Sequence, residues 1–243
     1  MFGYDEVLSA ARFAFTDRFG GASKAPYGEL NLGGYGEDPE LIGENYRRVA
    51  DAFGVRPEAV VRASQVHGRD VHVIRPEDEL PLEPMPKADA LVTTRPDVVL
   101  AVRAADCLPV LLADADQRVI GAAHSGRRGL YVGVVPATVE AMRELGASRI
   151  TAVLGPYACG KCYEVPAEMR AEVAERAPAS YAETSWGTPA VDVAAGVRAQ
   201  LDELGVQVVD ATRCTIESED LYSYRREGPV SGRMAGLVKL AAE

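Results

Sequence analysis

VVLAVRAADCLPVLLADADQRVIGAAH, residues 98–124, is the stretch whose reading decides the fold. It contains three dense apolar runs, 98–103, 108–113 and 118–123, the last two separated by the turn signal DADQ. Short apolar runs without polar alternation read as central strands buried on both faces. One thiol, Cys107, follows Asp106 directly between the first two runs, and an imidazole, His124, closes the third. Buried cysteines are common core residues, so the meaning of Cys107 depends on what else can reach it.

Working outward, residues 60–74, VVRASQVHGRDVHVI, alternate like two strands joined at Gly68. The segment EDPELIGENYRRVADAFG, 37–54, is a well-marked helix. Asp38 caps it, Pro39 occupies the first turn, Ile42, Tyr46, Val49 and Phe53 form one apolar face, and Gly54 ends it. Residues 6–20 read as short strands with a turn at Gly20-Gly21, and RPEDELPLEPMPKAD, 75–89, as a solvated loop. Downstream, a helix near 136–145 ends at Gly146 and is followed by the strand RITAVLG. One further helix opens at Pro166. Another follows Asp192, with Val193, Val197, Leu201 and Leu204 on one face and Gly205 past its end. Strands at 206–210 and 234–240 close the chain, which contains no internal repeat. The expected class is mixed α/β, a single domain over residues 1–243.

With 26 basic and 36 acidic residues the formal charge of the 243-residue chain is −10. Such a surface repels a phosphate backbone and argues against nucleic-acid binding. No apolar run approaches a membrane span, and the N-terminus MFGYDEVLSA lacks the basic and apolar regions of a signal peptide. Four cysteines, 107, 159, 162 and 214, do not make a disulfide framework over this length, so the expectation is a reduced cytoplasmic protein.

His67 in SQVHG, Cys107 and His124 share a design: each lies at the end of an expected strand, and strand ends project toward a common rim. Two imidazoles and a thiolate are the ligand set of an open zinc site. Asp106 and Gln65 are placed to orient those ligands. A Cys107–His124 nucleophile dyad without metal fits the same residues, and so does a set of three unrelated structural residues. His72 alternates within an apolar strand and reads as structural. Cys159 and Cys162 form a C-x-x-C pair without a second pair, for which a structural or incidental role is favoured over a second metal or redox site. None of the three histidines has a glutamate two residues on, so the nucleobase-deaminase zinc pattern is absent.

SQVHG, ADALVT…LAVRAADCLPVLLAD, IGAAHSGRRG and GPYACGKCYEV resemble, in order, the signatures of the laccase-domain (YfiH, polyphenol-oxidase-like) family. FTDRFGGAS…YGELNLG, ENYRRV and CT…LYSYRREGPVSGRMAGLVKL extend the resemblance over almost the whole chain. The resemblance implies an α/β sandwich with its site in a cleft, and one metal, usually zinc, on His67, Cys107 and His124. It also implies purine nucleoside phosphorolysis (adenosine, inosine, guanosine, methylthioadenosine), adenosine deamination, copper-dependent phenol oxidation or peptidoglycan-precursor editing.

Three histidines cannot build the copper centres of a multicopper laccase. A single Cu²⁺ remains chemically compatible with a His₂Cys set, but Zn²⁺ is favoured in a reduced cytosol. Phosphorolysis needs a held phosphate, for which Arg48, Arg128 and Arg225 are the candidates, with Gln65 on the substrate and Asp106 a proton shuttle or ligand orienter. Where the family usually has tryptophan, this chain has Arg127, giving HSGRRG. The expected function is a zinc-dependent purine nucleoside phosphorylase taking a nucleoside and phosphate. A cysteine-dependent hydrolase or editing factor and a non-catalytic nucleoside-binding protein are the alternatives.

Overall fold

The computed structural model describes residues 1–8, 10–33, 36–114 and 116–241. Two sheets face each other. The first has five strands in the order β1–β2–β13–β6–β3: β1 (Phe2–Leu8), β2 (Ala11–Thr16), β3 (Val60–Val61), β6 (Val99–Ala104) and β13 (Met234–Leu240). The second has six, in the order β12–β9–β7–β8–β5–β4: β4 (Val71–Ile74), β5 (Ala90–Thr93), β7 (Leu108–Asp114), β8 (Val119–Ser125), β9 (Thr151–Leu154) and β12 (Gln207–Asp210). Both are mixed, and a separate hairpin pairs β10 (Tyr181–Glu183) with β11 (Pro189–Val191).

Phe13, Phe15, Leu100, Val102 and Val238 of the first sheet pack against Leu91, Leu111, Ile120, Ala122 and Val153 of the second. Alternate residues point the other way. Ala14, Val99, Ala101 and Leu237 bury Tyr46, Val49 and Phe53 of α1 (Pro39–Phe53) on the outside of the first sheet. Val92, Val110, Leu112 and Ala123 pack with α3 (Val134–Glu144) and α5 (Val193–Glu203) outside the second, with Val173 of α4 (Ala167–Arg176) in the same cluster. Helices therefore cover both outer faces, which is why the central strands carry apolar residues on both sides.

The α1 signals operate as read: the Asp38 carboxylate accepts from Glu40 N at 2.9 Å, and Gly54 closes the helix at φ 64°. Asp192 caps α5 through Ala195 N. The other helices and the closing strands fall where expected, within a few residues.

Four readings change. The first hairpin turns between Leu8 and Ala11, which are paired, rather than at Gly20-Gly21. Residues 60–74 are not one pair of neighbouring strands: β3 and β4 lie in different sheets. SGRRG, whose glycines read from sequence as a turn just after His124, is instead the start of a short helix, α2 (Arg127–Val132). In the 75–89 loop, Leu80 and Leu82 pack onto the inter-sheet core. The turn signal DADQ includes Ala115, which lies outside the described residues; within it, Asp114 accepts from Gln117 N at 3.1 Å. The short helix α6 (Tyr224–Glu227) was not expected at all.

β6 and β7 are consecutive but belong to opposite sheets, so residues 105–107 carry the chain across the sandwich. Asp106 makes that corner at φ 90°, outside the usual range for a side-chain-bearing residue. The opening stretch is thus three central strands, as read, with the sheet change at AADC.

The inter-sheet core also dictates a glycine. A Cβ on Gly155 would lie 2.3 Å from Phe15 Cε1, a buried ring that cannot yield cheaply. Gly155→Ala is expected to cost about 1–3 kcal/mol by overpacking, read as a fall of several degrees in thermal midpoint by calorimetry.

Candidate functional site

Strand register explains why His67, Cys107 and His124 meet. In the β7–β8 pair, Pro109 lies opposite His124, placing Cys107 just beyond the end of that ladder. In the β5–β8 pair, Ala90 lies opposite Ala123, so Asp89 comes beside His124 and its carbonyl accepts from His124 N at 2.8 Å. The Asp89 side chain then does two jobs. Its Oδ1 accepts from His124 Nδ1 at 2.9 Å. Its carboxylate also accepts from the backbone N–H groups of Val66 and His67, each at 3.0 Å, and of Gly68 at 2.7 Å. The QVHG loop, with His67 at φ 59°, is thereby folded around one buried carboxylate.

The outcome is a three-donor cluster: one nitrogen each of His67 and His124 and the Cys107 sulfur lie within 4.8 Å of one another. Cys107 Sγ is 3.9 Å from His67 Nε2, and the two imidazoles meet edge-on with centroids 4.9 Å apart. Since Nδ1 of His124 is bonded to Asp89, its Nε2 is the nitrogen left for a ligand, the arrangement metal-binding histidines adopt. Gly126 closes in from β8, where a Cβ would stand 2.7 Å from the Cys107 sulfur. The donor chemistry and the carboxylate behind His124 fit a zinc-type ion.

Burial alone would push the Cys107 thiol up, but the charge of His124 and hydrogen bonds from both histidines outweigh it and bring it down to about 6. Burial likewise pushes His124 down, and Cys107 with Asp89 raise it to about 9. Asp89 is held below the usual carboxylate range: burial opposes this, and His124 with the loop N–H groups prevail. Between about pH 6 and 9 these opposed shifts favour a thiolate at Cys107 facing a protonated His124.

The cluster lies in the wall of a cavity of about 830 Å³. Arg103, Arg127, Arg225 and Arg233 line it, together with Tyr163 and Tyr224. Arg225 stacks 4.7 Å from the Tyr163 ring centroid. Arg103 Nε is buried without a hydrogen-bond partner, although its NH2 donates to Ala63 O at 3.0 Å. Burial pushes the Arg233 guanidinium down, while the charges of Cys107 and Asp106 pull it up.

Of the residues expected from sequence, Gln65, Asp106 and Arg225 join the cluster in this cavity. Gln65 is committed at both ends to Arg103, donating to its O at 2.8 Å and accepting from its N at 2.9 Å. Asp106 accepts from Thr215 Oγ1 and from Arg225 N, each at 2.7 Å, so it fixes the start of the α6 segment. Arg48 is elsewhere, donating to Glu44 and to Gly20 O, and it does not line the cavity. Arg128 is exposed and outside the lining; its neighbour Arg127 faces inward. Asp89, Arg103 and Arg233 were missed by sequence reading. Asp89 had one available signal, an aspartate directly before the apolar run ALV within a quoted motif.

Two outcomes follow. In metal-stripped protein, alkylation of Cys107, followed by peptide mass spectrometry, is expected to rise as pH passes through about 6, because the thiolate is the nucleophile. Cys159 and Cys162, which burial pushes up, are expected to react only at alkaline pH. Asp89→Asn is expected to lower zinc affinity about 10–100-fold by chelator competition, the usual penalty for losing the partner behind a histidine ligand.

Residues 12–241 match the family described as multi-copper polyphenol oxidoreductase laccase. A Streptomyces griseus protein named purine nucleoside phosphorylase ORF3 is 57% identical over 238 residues, covering 96% of each chain. Escherichia coli YfiH, also named a purine nucleoside phosphorylase, is 38% identical over 230 residues, covering 93% of this chain and 92% of its own. A Neisseria meningitidis protein of solved structure superposes with a TM-score of 0.85 at 32% identity, over 98% of this chain and 99% of that one. The chain therefore belongs to the laccase-like family that includes YfiH.

Proposed function

We propose that this protein is a zinc-dependent purine nucleoside phosphorylase of the cytoplasm, acting on adenosine, inosine, guanosine or methylthioadenosine. The observation that carries the reading is the cavity itself, which gathers a His₂Cys donor set, four arginines and two tyrosine rings. The names of its relatives point the same way. The reaction joins a phosphate oxygen to the anomeric carbon of the ribose and breaks the bond from that carbon to the base nitrogen. The base leaves with the bonding electron pair.

Each partner has matching groups. Guanidinium forks suit phosphate oxygens. Arg127 makes no ion pair or hydrogen bond among the described residues, and Arg103 has a buried donor to spare. Asp106, each of whose carboxylate oxygens accepts one hydrogen bond, from Thr215 and from Arg225 N, holds the Arg225 backbone in place. Tyr163 and Tyr224 offer flat surfaces to a purine. His67, Cys107 and His124 would hold the zinc, which when bound supplies a Lewis acid in the cavity wall. Asp89 fixes His124 in the tautomer that leaves Nε2 free. The three histidines of the chain are too few for multicopper oxidation, and no helix among the described residues is long and apolar enough to cross a membrane.

The lowered Cys107 thiol favours one second reading, a metal-free cysteine nucleophile with His124 as its acid–base partner, acting as a hydrolase or editing factor. A thiolate bound to metal is occupied, so occupancy separates the two.

The test is chromatography of inosine and adenosine incubated with zinc-loaded protein, with and without phosphate. Phosphate-dependent release of free base together with ribose 1-phosphate is expected, and release that ignores phosphate or survives metal removal would refute the phosphorylase. Arg127→Ala is expected to raise the KM for phosphate about tenfold or more, the loss of one charge-assisted contact, while the nucleoside KM stays within about twofold.

A further inference from the structure

Outside the cavity lining, a second group of metal-type donors sits on two loops, one of which carries the lining residue Tyr163. Cys159, Cys162, Cys214 and Glu217 each offer one ligand atom, and the four atoms lie within 4.8 Å of one another. They come from two loops. Cys159-Gly-Lys-Cys162 follows β9 and is wound into a tight turn, with the N–H groups of Cys162 and Tyr163 both donating to Cys159 O, at 2.9 and 2.8 Å. Cys214 and Glu217 follow β12. Parallel pairing continues past the ends of those two strands: Tyr157 bridges to Cys214, Tyr157 N donates to Arg213 O at 3.0 Å, and Thr215 N donates to Tyr157 O at 2.9 Å. That register carries Cys214 to the C-x-x-C turn. The three sulfurs lie within 4.8 Å of one another, and all are free of disulfides.

We propose that Cys159, Cys162, Cys214 and Glu217 form a second, structural zinc site that fastens one wall of the cavity. Three sulfurs and a carboxylate oxygen give four protein ligands, the closed set that distinguishes a structural site from the open three-donor set at Cys107. The sequence alone favoured an incidental C-x-x-C because no second pair stood near it; the fold supplies the missing donors. Binding displaces the three thiol protons to solvent and replaces them with one divalent cation, with no change in oxidation state.

The position gives the site a task. Ala158, next to Cys159, donates its N–H to Asp106 O at 2.9 Å, and Thr215, next to Cys214, donates to Asp106 Oδ1 at 2.7 Å. Tyr163, next to Cys162, lines the cavity and lies under Arg225. A cation tying the two loops would hold the corner at Asp106 and the Tyr163–Arg225 stack in place. It needs no part in the chemistry of bond exchange.

The experiment is elemental analysis of the full chain purified without chelator, in the wild type and in Cys214→Ser, Cys159→Ser and Cys107→Ala. About two zinc ions per chain are expected in the wild type. Cys214→Ser and Cys159→Ser should each lose one equivalent and unfold at lower temperature, while Cys107→Ala keeps the equivalent that they lose. Zinc retained in that variant but lost on mutating Cys214 supports this site even if the cavity proves metal-free. Zinc unchanged by Cys214→Ser, or a disulfide among the three cysteines in non-reducing mass spectrometry, would overturn it. Should the serine variants fail to fold, alkylation of the wild type at alkaline pH decides: Cys159, Cys162 and Cys214 must be protected with zinc and labelled after chelation, and equal labelling in both states refutes the site.

Discussion

One buried carboxylate, that of Asp89, holds the candidate site together. It takes four hydrogen bonds, three from consecutive backbone N–H groups of the QVHG loop and one from His124, and its own carbonyl receives the His124 amide. A carboxylate that is 1% exposed would be costly if left unpaired. Here each bond that offsets burial also positions a ligand, so the stability of the loop and the geometry of the donors are the same interaction. His67 can sit at a positive φ because the loop N–H groups around it are committed to Asp89. The histidine pair is thus oriented from behind by hydrogen bonds to one carboxylate.

The sandwich supplies the third donor by a different device. The chain leaves the first sheet at Ala104, enters the second at Leu108, and turns through Asp106 at φ 90°. The corner is over-determined. The Asp106 carbonyl receives Ala158 N, and its two carboxylate oxygens receive Thr215 and Arg225. Local strain of this kind persists only where surrounding bonds hold it, and such corners gather at functional sites. Cys107 is therefore not a core thiol that happens to be near two imidazoles. It is the last residue of an anchored sheet crossing, with Gly126 leaving room for its sulfur.

The cavity shows a division of charge. The surface as a whole is acidic, with a formal balance of −10, yet the cavity concentrates four guanidinium groups beside Cys107. A small anion gains there what it would lose over the rest of the molecule, because burial reduces the screening that water provides outside. The same acidity that argues against nucleic acid thus leaves room for an anionic small molecule.

Periodicity and end signals in the sequence determined the elements: the capped helix at 39–53, the apolar strands after residue 98 and the helix after Asp192 all form where local preference puts them. Residue chemistry determined the donor types, and three residues read as strand ends were enough to suggest that His67, Cys107 and His124 converge. Of these, His67 sits in the loop between β3 and β4, and only His124 lies within a strand. Tertiary structure alone decided the rest. It set β3 and β4 in different sheets, brought Asp89 behind His124, turned Arg127 rather than Arg128 inward, left Arg48 outside and carried Cys214 to the C-x-x-C turn. The physical reason is range. Helix caps and apolar alternation act over a few residues, and sequence displays them directly. Register across a sheet, the corner where a chain changes sheets and the face a short helix presents are set by hydrogen bonds and packing between segments far apart in the chain, and no local pattern records them.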